Sequence, residues 1–296
     1  MSLELQPGDV YGEFQVLEVI GTGGFGRVYK VKDPRFEQPV ALKLSLDPVR
    51  SIDTAQRTLR EVTVMRTLTS PHSVRVFDCG LRRDGHVYVL MELLDGKPLD
   101  HFHDLDIALA APWAAHIVYQ ACLGLCEAHD LGIIHRDIKP ANIFIDPTGP
   151  TRVLDFGLAR SFDQREIHGQ NATMGHMLVG TPHYAQPEQL ETYALTPAAD
   201  VYSLGIIYYE LLCGHVPFVP DKTVSEVRDV WYDNPMQWLR AHASVPVVPL
   251  RRYLGPERIS DELAAVVESA LRKKPTERPA TAREFAERIR AAWPTG

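Results

Sequence analysis

A chain of 296 residues, 45% hydrophobic and 23% charged, has the balance of a globular protein and suits one large domain or two lobes. Its formal net charge of −7 speaks against bulk binding of nucleic acid or an anionic membrane, since both favour a basic face. No uncharged apolar stretch approaches the ~20 residues a membrane span needs, and the opening MSLELQPGDVYGEF lacks the basic start and apolar run of a signal peptide.

The elements begin with strands. Residues 14–20 and 27–32 are rich in Val, Tyr, Phe and Ile around a glycine cluster, which predicts a hairpin. PVALKLS predicts a third strand, and 53–68 a helix with Asp53 and Gln56 at capping-box spacing. Residues 74–80 and 86–93 predict two more strands joined by the turn RRDG. After LLDGKPL the pattern turns helical, and 113–131 sets Ile117, Ala121, Leu125 and Ala128 on one face. TRVLDFG predicts a short strand, and 161–179 is a polar loop rich in turn residues. Residues 198–213 are apolar nearly all round, as a buried central helix should be. Helices are predicted over 261–272 and 281–293, with loops between. Cys79, Cys122, Cys126 and Cys213 show no CxxC spacing and read as buried free thiols of a reducing cytosol rather than metal ligands. The expected organisation is α+β. An extension, 1–10, precedes a small β-rich lobe, 11–94; a larger helical lobe, 95–293, and a tail, 294–296, follow, with the linker near Asp95–Gly96.

Four stretches carry chemistry. GTGGFGRV, from Gly21 to Val28, has the form G-x-G-x-x-G-x-V. A strand rather than a helix follows it, which excludes the dinucleotide reading and fits a flap whose backbone N–H groups approach phosphates. In VALK, strand alternation puts Ala41 and Lys43 on one face. An enclosed ammonium needs a partner, and Glu61, sharing a helix face with Met65 and Leu68, is the candidate. IIHRDIKPANIF presses a polar block between Ile133–Ile134 and Ile143–Phe144, as a catalytic loop mounted on a hydrophobic base would be. Within it Asp137 can accept a proton from a hydroxyl, Lys139 can neutralise a transferring phosphoryl group and Asn142 offers an oxygen to a hard cation. LDFG places Asp155 at a strand end, where a carboxylate can hold Mg²⁺. Singly, each has a plain structural reading as a flexible hairpin, unrelated surface charges, a capping aspartate or a strand-ending turn. Those readings do not account for all four in this order.

At this point the chain resembles the eukaryotic-like protein kinase family, bacterial serine/threonine kinases in particular, from about Tyr11 to Trp293. The resemblance implies a bilobal kinase fold, transfer of the ATP γ-phosphate to protein hydroxyls, and ATP with Mg²⁺ (Mn²⁺ as the alternative ion). It implies that Gly21, Gly23 and Gly26 cover the phosphates, that Val28, Ala41 and Phe144 enclose the adenine, and that Lys43 binds phosphate and pairs with Glu61. Met91 would be the gatekeeper, with the backbones of Glu92 and Leu94 at the adenine edge. Asp137 would orient the substrate hydroxyl, Lys139 would match the serine/threonine pattern, and Asn142 and Asp155 would hold the metal. GTPHYAQPEQ looks like the end of an activation segment, 155–188, with Gln186 departing from the family's alanine. Glu188 would pair with Arg278, Asp200 would brace the catalytic loop, and Met65, Val76, His135 and Phe156 would stack. Arg136, with Arg160, would bind a phosphorylated activation loop, with Thr173 as the autophosphorylation site and Ser161 and Thr181 as further candidates. Implied partners are protein substrates and a second copy of the chain for autophosphorylation in trans, in the cytoplasm. The alternatives are a nucleotide-binding scaffold, against which Lys43, Asp137 and Asp155 all stand, and a small-molecule phosphotransferase, against which the GTPHYAQPEQ segment stands.

Overall fold

A computed structural model describes residues 4–23, 26–49, 56, 59, 62–102, 104–146, 148–156, 182–190, 195–232 and 234–293. The chain forms two compact units. Among the described residues, the first takes in 4–69 and 74–95, the second 70–73, 96–156 and 182–293.

The first unit is an antiparallel sheet built from β1 (Val10–Tyr11), β2 (Phe14–Gly23), β3 (Gly26–Lys32), β4 (Val40–Ser45), β5 (Val76–Leu81) and β6 (Val87–Met91), in the order β1-β2-β3-β4-β6-β5. Strand alternation sorts its side chains. Phe14, Val16, Tyr29, Val31, Val40, Leu42, Leu44 and Leu90 form one buried cluster. Each fully buried side chain there contributes about 1.5–3 kcal/mol. The Arg82 guanidinium lies 4.7 Å from the ring centroids of both Phe14 and Tyr88 and pairs with Glu13 at 2.8 Å, closing the edge of that cluster.

The second unit packs α1 (Leu99–Phe102), α2 (Ala111–Asp130), α3 (Ala198–Cys213), α4 (Val224–Trp231), α5 (Pro235–Ser244), α6 (Asp261–Ala270) and α7 (Ala282–Ala291). A small sheet of β7 (Lys97–Pro98), β8 (Ile143–Ile145) and β9 (Arg152–Val153) accompanies them. Every residue of α3 is buried, Asp200, Ser203 and Glu210 included, as its apolar sequence predicts. α2 buries Ile117, Ala121, Leu125 and Ala128 on one face. Among the described residues no helix is long and apolar enough to cross a membrane.

Two features differ from the sequence expectation. The stretch between 213 and 261, expected as loops, contains α4 and α5. α4 is short and buries only Val224 and Val227, so its hydrophobic period is too brief to show. It is fixed at its start instead, by the reciprocal capping box of Thr223 and Glu226 and by Asp106, which accepts from Thr223 Oγ1 at 3.2 Å and Ser225 N at 2.8 Å. TRVLDFG yields only the two-residue β9. Of the helix expected over 53–68, residues 56, 59 and 62–65 are described and helical; its predicted cap at Asp53 lies outside the described residues.

Candidate active site

The catalytic-loop candidates sit between α2 and β8. Their apolar footing differs from the expected flanking pairs: Ile138 and Ile143 are fully buried, whereas Ile133, Ile134 and Phe144 are half-buried. The loop is held mainly by hydrogen bonds. Asp200 of α3 accepts from the backbone N–H of His135 at 2.8 Å and of Arg136 at 2.9 Å. Arg136 stands at φ 68°, a left-handed conformation that costs about 1 kcal/mol or more outside glycine, and the two Asp200 bonds offset it. Burial alone would raise the Asp200 carboxyl; the hydrogen bond from His129 and the His135 N–H outweigh it and hold the group below the usual carboxylate range. His129 Nδ1 accepts from the N–H of Ala282 at 3.2 Å, so Nε2 carries the proton donated to Asp200 Oδ2 at 2.9 Å. The start of α7 is thereby linked through one imidazole to the loop.

His135 is structural. Its Nε2–H donates to the Leu154 carbonyl at 2.6 Å, its Nδ1 faces the Asp137 N–H at 3.3 Å, and its ring lies 5.1 Å from that of Phe156. Asp137 Oδ2 receives Lys139 Nζ at 2.7 Å and Asn142 Nδ2 at 3.3 Å. Asn142 Nδ2 also donates to the Asp137 carbonyl at 2.7 Å. This geometry aims Nδ2 inward and leaves the amide oxygen of Asn142, like Asp137 Oδ1, without a hydrogen bond among the described residues. The Leu154 N–H donates to Asn142 O at 2.9 Å, which brings Asp155, at φ 60°, beside Asn142. An oxygen-only pair of this kind suits a hard divalent cation. Phe144 lies on β8 opposite Pro98 and Arg152.

In the first unit, register gathers the phosphate-flap and adenine candidates. Gly21 pairs with Val28, Gly23 with Gly26, Val28 with Lys43, and Ala41 with Met91. Directly paired residues project from the same side of a sheet, so all seven lie on one face, opposite the Leu42 and Leu44 side. A Cβ on Gly26 would stand 2.7 Å from Leu44 O and 3.2 Å from Lys43 Cε, so only glycine lets β3 cross Lys43 this closely. Glu92 forms a closed pair with Arg75, its N–H donating to Arg75 O at 3.0 Å and its Oε1 accepting from Arg75 N at 2.8 Å; Leu94 is half-buried. Met65 and Val76 are buried. Glu61, Arg160, Ser161, Thr173 and Thr181 lie outside the described residues.

Residues 182–190 are anchored to α3 and beyond. Arg278 grips Glu188 through two parallel bonds, 2.8 and 2.7 Å, and donates to the carbonyls of Ala198, Arg272 and Lys273. Gln186 donates to Ser203 Oγ at 2.8 Å, while its buried Oε1 has no partner among the described residues, a cost that the Ser203 bond only partly offsets. His183 Nε2 meets Glu210 Oε1 at 2.5 Å, and Tyr184 OH donates to Glu210 Oε2 at 3.2 Å. Sequence reasoning finds Asp200, Glu188 and Arg278 but misses His129 and Glu210, whose partners Asp200 and His183 lie 71 and 27 residues away, separations no local pattern reveals.

Comparison with known proteins matches residues 14–289 to the protein kinase domain family. The chain is 31% identical over 284 residues to serine/threonine-protein kinase pkn3 of Myxococcus xanthus, covering 94% of this chain and 50% of that protein. It is 35% identical over 283 residues to serine/threonine-protein kinase PknB of Mycobacterium leprae, covering 94% and 43%. The chain thus spans half, or less, of the length of these curated relatives. A crystal structure of the Mycobacterium tuberculosis PknI kinase domain matches with a TM-score of 0.69 at 24% identity, over 98% of this chain and all of that one, a likeness of fold.

Proposed function

The chain belongs to the protein kinase domain family, and from that premise we propose that it transfers the γ-phosphate of ATP to serine or threonine hydroxyls of proteins. The arrangement that carries the reading is Asp137 with one carboxylate oxygen engaged by Lys139 and the other open, on a loop fixed by Asp200. Asp137 Oδ1 takes the hydroxyl hydrogen bond and orients the nucleophile; Lys139, held on Asp137 Oδ2 at 2.7 Å, offsets charge on the phosphoryl oxygens. Lys43 and the glycine hairpin position the nucleotide phosphates, Val28, Ala41 and Phe144 enclose the adenine, and Met91, Glu92 and Leu94 border it. Lys43 pairs with Glu61 in this assignment. Asn142 and Asp155 would hold Mg²⁺, or Mn²⁺ in its place, which neutralises phosphate charge when bound. Residues 11–94 and 95–293 form the two lobes, with 155–188 as activation segment.

Regulation follows from the same residues. Phosphate on Thr173, with Thr181 and Ser161 as further acceptors, would be gripped by Arg136 and Arg160 after transfer between two copies. Dependence on ATP and four free thiols fit a cytoplasmic setting. The test is phosphate transfer from Mg·ATP to the chain itself and to a generic basic protein. Transfer that requires the divalent ion and disappears in Asp137→Asn supports the reading; ATP binding without transfer favours a scaffold.

A further inference from the structure

A pocket of about 320 Å³ opens in the second unit beside Lys139, within the size range of side-chain and small-ligand sites. Its walls are mainly apolar and aromatic, drawn from Leu105, Pro182, Tyr184, Trp231, Tyr232 and Trp238. One wall is a column of rings. Tyr184 stacks on His183 at 4.3 Å, His183 on Trp238 at 4.1 Å, and Trp231 meets Trp238 edge-on at 4.7 Å. Glu210, fully buried, holds the first two rings through its two oxygens, so the wall is built before any ligand arrives. Tyr232, 83% exposed, stands at the rim.

The charges decide what fits. Lys139 lines the pocket but is matched by Asp137 at 2.7 Å. Asp100 and Arg228 add one charge of each sign, so the lining as a whole favours neither a cationic nor an anionic side chain. What remains is an aromatic surface that a bulky apolar anchor would desolvate on binding, the setting that favours such an anchor. Lys139 also fixes the distance: a polypeptide presenting its hydroxyl to Asp137 passes the pocket within roughly two to four residues of extended chain.

We propose that this pocket receives a bulky apolar side chain, aromatic or branched aliphatic, a few residues from the phosphoacceptor of the protein substrate, and that Trp231 and Tyr232 select it. The inference rests on the kinase reading above and adds a substrate class to it.

The test is a positional array of threonine peptides in which each flanking position is in turn Phe, Leu, Ala, Asp or Arg, labelled by the full chain with Mg·ATP. One flanking position should favour Phe or Leu over Ala by a factor of about 10–100 in kcat/KM. In Trp231→Ala and Tyr232→Ala that factor should fall below about 3, with the loss in KM, and Trp231→Phe should restore most of it. Tyr232→Ala guards against misfolding, since its side chain lies at the surface. Labelling with no apolar preference at any position, a preference for Asp or Arg instead, or a preference unchanged in both alanine variants overturns the pocket and leaves the kinase reading standing. No labelling of any peptide or of the chain itself overturns the kinase reading and the pocket with it.

Discussion

Asp200 accepts the backbone N–H of His135 at 2.8 Å and so sets the course of a loop 65 residues earlier in the chain. An amide in its place would turn an N–H toward one of the three donors it now serves. Asp200→Asn should therefore lower phosphate transfer by about 10²-fold, as a displaced catalytic group does, with little change in nucleotide affinity. Steady-state kinetics beside a nucleotide titration checks this; an equal loss of affinity would contradict it.

Arg278 is buried and fully engaged, by Glu188 and three carbonyls. Arg278→Ala strands a buried carboxylate and should destabilise the chain by about 3–5 kcal/mol. Arg278→Lys should recover less than half of that, because an ammonium cannot reproduce the two parallel bonds. Urea unfolding of the three proteins gives the comparison.

His242 gives an acid-side prediction. Burial, with His183 and Lys273 nearby, pushes its pKa from 6.5 down to about 3. Its Nε2–H donates to Pro182 O at 3.1 Å, and Nδ1 accepts from Tyr202 OH at 3.0 Å, so the folded ring is neutral. Below 6.5 the unfolded ring binds a proton that the folded ring does not, so stability falls as pH drops from 6.5 toward about 3; above 6.5 the group adds no slope. His242→Phe should be less stable at pH 7, through two orphaned partners, yet show a shallower decline between pH 6 and 4. Matching slopes in the two proteins would count against the assignment.

Gly26→Ala tests the flap. The added methyl meets Leu44 O at 2.7 Å, so β3 must move away from Lys43. The expected outcome is a loss of about 1–3 kcal/mol in stability and a weaker grip on ATP, read by calorimetry and nucleotide titration.

What the sequence made legible is what has a short period. Alternation places Ala41 and Lys43 on one face, and the register extends that face to Val28 and Met91. The uniformly apolar run 198–213 could only be a buried helix, and it is. What stayed hidden depends on distant partners. α4 has a local start signal in the Thr223–Glu226 capping box but too short a hydrophobic period behind it, and its second anchor, Asp106, lies more than a hundred residues away; His129 acquires its role only when α7 and Asp200 arrive on either side of it. The loop's footing was misplaced for the same reason: Ile138, inside the polar block, is buried by tertiary packing that no flanking pattern announces.

α3 has no exposed residue along its 16 positions, yet three of its polar side chains reach outward to the loop at His135, the Tyr184 carbonyl and the His183 ring. Such a helix has no partial form that water could stabilise. In hydrogen exchange, the amides of His135 and Arg136 should consequently behave like those of a central helix rather than those of a surface turn, opening only when the second unit opens as a whole. The geometry of the catalytic loop and the fold of the second unit would then be lost in one event, so that warming should release these two amides no sooner than it melts that unit.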